Sequence, residues 1–155
     1  MKTLAVHLLA LLLCSACPAM LYLSKYFVSV LLVFWDPALW YQFLSAFALV
    51  TAVAAKHAVG LGLPVYFWVQ IFSPFTYKVA IVCGFIVGAI PIAIYAWPLD
   101  LFGPKSSFSV QGVEMTIDGV PTMAGWLYYL EWVCLFGVLG SSGALMFKYV
   151  LQKFA

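Results

Sequence analysis

"YKVAIVCGFIVGAIPIAIYAW", residues 77 to 97, holds 21 residues with a single charged side chain, Lys78, at its second position. A helix needs roughly 20 apolar residues to cross about 30 Å of hydrocarbon, so this stretch reads as a transmembrane helix. Ala80, Gly84 and Gly88 recur at four-residue steps and therefore share one helical face. Lipid supplies no hydrophobic drive between helices, and such a stripe of small residues is what lets two backbones approach closely. Pro91 removes one backbone hydrogen bond and is expected to kink the helix toward its far end.

Working outward, residues 37–59 and 122–147 have the same length and character. The first of these opens on "WDPALW", where Asp36 suits a helix N-cap and Pro37 the first helical position. The second leads into Lys148 and Lys153, cations suited to a helix C-terminus and to an aqueous anchor. Both carry small-residue stripes: Ala48, Ala52 and Ala55 in one, and Gly137, Ser141 and Ala144 in the other, with Gly140 and Gly143 beside them. The opening run, residues 3–23, lacks any lysine, arginine, aspartate or glutamate, and it is longer than a usual signal core. It is expected to be an uncleaved first span. The competing readings are signal cleavage near the small residues around Cys14 to Ala19, and lipidation at Cys17, against which Cys14 stands where an aliphatic residue is wanted.

Composition agrees with lipid as the solvent: 66% of residues are hydrophobic, 8% are charged, and mean hydropathy is +1.11. Seven lysines, no arginine and five acids form no basic stripe, so nucleic acid is excluded as a partner. Without arginine there is no bidentate fork for phosphate or carboxylate, which argues against phosphoryl transfer. Four cysteines and two histidines are too scattered for a zinc pattern, and neither a metal nor any cofactor is expected.

The expected fold is an all-α integral membrane protein, one polytopic domain over residues 1–155, with about four transmembrane helices in a compact bundle. Residues 26–35 and 60–76 are expected to be interfacial segments, the first too short to span and the second rich in glycine, proline and aromatic rings. A break at Pro18 would instead give a fifth span, residues 19–35, at the expense of placing Lys25 in mid-membrane. Lys2, Lys56, Lys78, Lys148 and Lys153 fall on one face and Lys25 and Lys105 on the other, which puts both termini in the cytoplasm, for instance across a bacterial inner membrane. The outer loop, residues 98–121, should hold a short β-hairpin or three-strand meander turning at Asp118-Gly119, with Gln111-Gly112 as an earlier turn. Lys105, Glu114 and Asp118 are its candidate partner contacts.

Glu131 is the leading polar candidate. It lies nine residues into the last span, roughly 13 Å from the outer end, where an ionised carboxylate is expensive. It suits a proton or cation relay, a ligand anchor, or a protonated carboxyl bonded to a neighbouring helix. His7 and His57 should sit at similar depth on antiparallel helices, and the ordinary reading is a pair of interfacial histidines rather than haem ligands. Cys14 and Cys17 form a CxxC, with Cys134 expected at comparable depth, and this pattern is similar to that of four-helix thiol oxidoreductases that pass electrons to quinone. Those proteins also use outer-loop cysteines, of which residues 98–121 have none, so buried thiols acting as small hydrophobes are expected.

With no catalytic pair and no cofactor loop, the sequence points to a non-enzymatic membrane protein, an accessory or structural subunit of a larger complex or a protective, exclusion-type protein. Its partners would be the bilayer and other membrane subunits or further copies of itself. The alternatives are a small transporter or channel-like protein using Glu131, or a thiol redox protein using Cys14 and Cys17.

Overall fold

The computed structural model describes residues 2–32, 36–99 and 107–154. The helices are α1 (Lys2–Leu32), α2 (Pro37–His57), α3 (Leu63–Phe72), α4 (Tyr77–Tyr95) and α5 (Met123–Phe154), and a π-helical segment, Ala58–Gly62, joins α2 to α3. Between α4 and α5 lie the strands β1 (Phe108–Val110), β2 (Val113–Ile117) and β3 (Val120–Pro121). Four helical stretches are long and apolar enough to cross a membrane: Ala5–Ser24, Pro37–Phe72, Tyr77–Tyr95 and Met123–Phe154. Helix α4 sets the scale, since its 19 residues at about 1.5 Å each measure about 28 Å.

Two segments expected to be interfacial are helical among the described residues. Helix α1 runs through Pro18 without breaking and continues past residue 23 to Leu32, so residues 26–32 belong to the first helix, while 33–35 fall outside the described residues. "SKYFVSVLL" contains neither glycine nor proline, so nothing in it ends a helix. The same continuity removes the fifth-span alternative. Residues 60–72, within the segment 60–76 expected to be interfacial, are helical as well. Pro64 falls in the first turn of α3, where a missing donor is tolerated, and the two glycines, Gly60 and Gly62, are absorbed by the wider π turn.

The caps follow from residue chemistry. Asp36 accepts from the Ala38 amide at 2.9 Å at the start of α2, and Thr76 accepts from Val79 at the start of α4. Thr122 precedes α5 and accepts from the Gly125 amide at 3.1 Å, while its own amide donates to the Met115 carbonyl at 2.9 Å. The sheet is a three-stranded antiparallel meander, ordered β1-β2-β3. Gln111, Gly112, Asp118 and Gly119 all have positive φ, between 49° and 81°, as two-residue hairpin turns require. The meander sits on the first turn of α5, where Gly125 meets the Met115 carbonyl so closely that a Cβ would collide with it.

Four helices form a row in the order α2, α1, α5, α4, each antiparallel to its neighbour. Leu23 and Phe27 of α1 pack on Phe43 and Trp40 of α2. The Cys14 carbonyl of α1 lies against Gly143 of α5, and Tyr22 lies against Phe136, with centroids 6.3 Å apart. The closest approach is between α4 and α5. A Cβ on Gly84 would stand 2.6 Å from the Ala144 Cβ, one on Gly88 would enter the Phe136 carbonyl, and one on Gly140 would enter the Gly84 carbonyl. Three hydrogen bonds run along this seam: Tyr129 Oη to the Ala93 carbonyl at 3.0 Å, Ser141 Oγ to the Ile81 carbonyl at 2.9 Å, and Tyr77 Oη to Gln152 Oε1 at 2.8 Å. An interhelical hydrogen bond in lipid averages only about 0.6 kcal/mol, so backbone contact at the glycines, not the bonds, carries most of the association.

Replacing Gly140 with leucine should therefore separate α4 from α5. The expected cost is ~1–3 kcal/mol or more from overpacking, read as a lower detergent melting temperature by circular dichroism. Gly60, with nothing within 4 Å of its added Cβ, is the control: Gly60→Ala should melt at or slightly above the parent temperature.

Candidate functional site

Helices α2 and α4 stand at opposite ends of the row, and no extended contact joins them. The helical run 37–72 instead starts beside α1 and ends beneath α4, because the π-helical segment touches both α1 and α4. Tyr66 of α3 then packs on Phe75 and on Phe147 of α5, with centroids 4.9 and 5.2 Å away and rings nearly perpendicular. What remains between α2 and α4 is a cleft of about 490 Å³. Leu11, Pro18 and Tyr22 of α1 line it together with Gly84, Gly88, Gly140 and Gly143; Val50, Val53 and Ala54 of α2 and Val87 of α4 form its sides, and Tyr66, Phe75 and Phe147 close one end.

The lining is almost wholly apolar. His57, Tyr22, Tyr66, Cys14 and Cys83 are the lining residues that carry polar side-chain atoms. Most of these are engaged: His57 Nδ1 lies 2.8 Å from the Val53 carbonyl, Cys14 Sγ donates to the Leu11 carbonyl at 3.1 Å, and the Tyr66 hydroxyl accepts from Gln70 Nε2 at 2.6 Å. A space of this kind does not hold water well and suits an apolar occupant.

The remaining candidates lie elsewhere. Glu131 is exposed on α5 and is not part of the cleft lining. Nor is it as deep as counting from the span's start implies, because Tyr129, two residues before it, bonds Ala93 in the last turn of α4. Around that level Trp97, Trp126 and Tyr129 form a triangle of perpendicular rings, with centroids 5.8 to 6.0 Å apart, the ring type that gathers at a membrane–water boundary. The Glu131 carboxylate has no hydrogen-bond or ion-pair partner among the described residues, and the exposed side chains around it are Leu127, Leu130, Cys134, Leu135 and Val138.

Cys14 is buried, Cys17 is half-buried, and all four cysteines are free thiols. Cys14 lies opposite Gly143, nine residues from Cys134, so the expected common depth is corrected to a separation of about 13 Å along α5. His57 lines the cleft and His7 does not. Among the described residues no three His, Cys, Asp or Glu side chains gather in one place. Glu114 and Asp118 are exposed on the meander, and Lys105 lies outside the described residues.

Of the small residues singled out in the sequence, Gly84, Gly88, Ser141 and Ala144 meet across the α4–α5 seam, Ala80 is buried with Phe147 and Val150, and Gly137 faces the Phe85 ring. Ala48 and Ala52 of α2 point outward, so that stripe is left unused within the chain. The cleft itself was missed in sequence reasoning, and so was the Cys14–Gly143 crossing. The signal for the latter was Pro18, which leaves the Cys14 carbonyl without its helical donor and ready for a Cα–H contact.

Thiol labelling checks the orientation of these helices. With a maleimide in detergent, exposed Cys134 should react first and buried Cys14 last, and Cys134→Ser should abolish the fast phase.

No protein-family model matches this chain, and comparison with curated proteins and with solved structures returns no match.

Proposed function

We infer that the chain is a small non-enzymatic polytopic protein of the bacterial inner membrane, with both termini cytoplasmic, and that it serves as an accessory or structural subunit of a larger membrane complex or as an exclusion-type protein. The observation that carries this reading is the unpartnered carboxylate of Glu131 on an outward, otherwise apolar face of α5. A relay or substrate-binding carboxylate belongs in the interior of a bundle or on a cavity, paired with another group. Glu131 faces away from the cleft. At the level of the aromatic triangle it faces outward, free to meet a cation or donor on a neighbouring subunit. The outward Ala48 and Ala52 of α2 offer a second face on which another helix can pack closely.

The orientation rests on charge. Lys56, Lys78, Lys148 and Lys153 lie toward the end where α1 starts and α5 finishes, whereas Asp36, Glu114, Asp118 and Glu131 lie toward the other end. Lysine-rich loops remain on the cytoplasmic side.

Gentle extraction of the tagged protein followed by mass spectrometry should recover a stoichiometric membrane partner. Glu131→Lys should reduce that recovery at least several-fold while leaving helicity unchanged, and a clean monomer in both cases defeats the reading. Fusion of a fluorescent reporter to the C-terminus should give signal in the cytoplasm, whereas a periplasm-dependent phosphatase at the same position should stay inactive.

A further inference from the structure

We propose that the cleft between α2 and α4 is a binding site for one acyl chain of an anionic phospholipid, drawn from the leaflet at the lysine-rich end. The proposal rests on the reading of the four long helices as membrane spans. It goes beyond that reading by giving the cleft an occupant.

Shape comes first. Along α5 the lining runs from Phe136 to Phe147, eleven residues or about 16 Å. One leaflet contributes half of a hydrocarbon core about 30 Å thick, so the slot is as tall as a single leaflet is deep. Its sides are the two helices that do not meet, α2 and α4, so it faces the bilayer laterally. The glycines Gly84, Gly88, Gly140 and Gly143 leave room between the apolar side chains of α1 and α5 that also line the slot, and a flexible hydrocarbon chain fits such a slot better than a helix with its own side chains.

Charge selects the headgroup. The closed end of the slot, at Tyr66, Phe75 and Phe147, coincides with the level of Lys56, Lys78 and Lys148. Lys56 adjoins the lining residue His57, Lys148 adjoins Phe147, and Lys78 lies three residues beyond Phe75. Lys56 and Lys78 are exposed, on the two helices flanking the mouth, and none of the three lysines makes an ion pair among the described residues. The described acids, Asp36, Glu114, Asp118 and Glu131, belong to the opposite end. An anionic phosphate there gains attraction that a zwitterionic headgroup does not.

The test uses the full chain in nanodiscs made from equal parts of phosphatidylcholine and phosphatidylglycerol, followed by native mass spectrometry after gentle release. One retained phosphatidylglycerol per chain is expected. Filling the slot with Ala54→Phe, or independently with Val53→Phe, should lower retention at least about tenfold without changing incorporation or helicity. Replacing both Lys56 and Lys78 with glutamine should keep a bound lipid but remove the preference for phosphatidylglycerol. A phosphatidylglycerol carrying a diazirine midway along one chain should cross-link to Val50 and Val87 more than to the outward Leu12 and Leu44.

Failure of the chain to enter nanodiscs overturns the membrane reading and this proposal with it. Incorporation without a retained lipid overturns the proposal alone. So do retention unaffected by both slot-filling variants, equal retention of the two lipids by the parent chain, cross-links spread evenly over the outer helices, and recovery of a different apolar molecule or a polypeptide in the cleft.

Discussion

In hydrocarbon, two apolar helices gain nothing from hiding their side chains from each other, and the close approach of α4 to α5 is the constraint on which the remaining structure depends. At Gly84, Gly88 and Gly140 the two backbones touch with no side chain between them. The bond from the short Ser141 hydroxyl to the Ile81 carbonyl depends on that approach, since it would not reach its partner across an ordinary helix spacing of 8–10 Å. Helix α5 also receives α1 on another side, at Gly143, where the carbonyl freed by Pro18 is the contacting group. It is thus the strut between the two halves. Among the described residues helix α2 packs chiefly on α1, through an aromatic cluster around Phe27, Trp40 and Phe43 near one end.

The cleft follows from this unequal distribution of small residues. Glycine on α4 and α5 brings those helices together, and nothing comparable draws α2 toward α4. The floor of the gap is closed by Tyr66, Phe75 and Phe147, three large rings packed together between α3, the start of α4 and α5. Edge-to-face packing of these rings is worth about 0.5–1.5 kcal/mol per pair beyond simple burial. The gap is therefore a packed feature of the fold rather than loose assembly.

Much of this was legible in the residues. Hydropathy and length located the four stretches long and apolar enough to span, because thickness and backbone satisfaction leave few other solutions in lipid. The Asp118-Gly119 and Gln111-Gly112 turns were legible because few residue pairs tolerate positive φ twice in succession. Residues 60–72 are helical despite their glycines and proline, because in an apolar setting the backbone keeps its own hydrogen bonds and bends instead. Glu131 illustrates a different limit: its position along the helix was readable, but its rotation outward depends on which face the glycines turn toward α4, and its depth on where α4 ends. The cleft had no local signal at all, because it arises from a contact that α2 and α4 do not make.

Helix continuity from Pro37 to Phe72 has a mechanical consequence for the surrounding lipid. Thirty-six residues measure about 54 Å, nearly twice the thickness of a bilayer core, so this rod cannot stand upright within it. The π turn at Ala58–Gly62 is the natural place for it to bend. Beyond that turn, Phe67, Trp68, Ile71 and Phe72 remain on the outside, and in a bilayer a segment so apolar would lie among acyl chains and headgroups instead of leaving for water. Extra volume would then enter one leaflet and not the other, an imbalance that a bilayer relieves by thinning or curving locally.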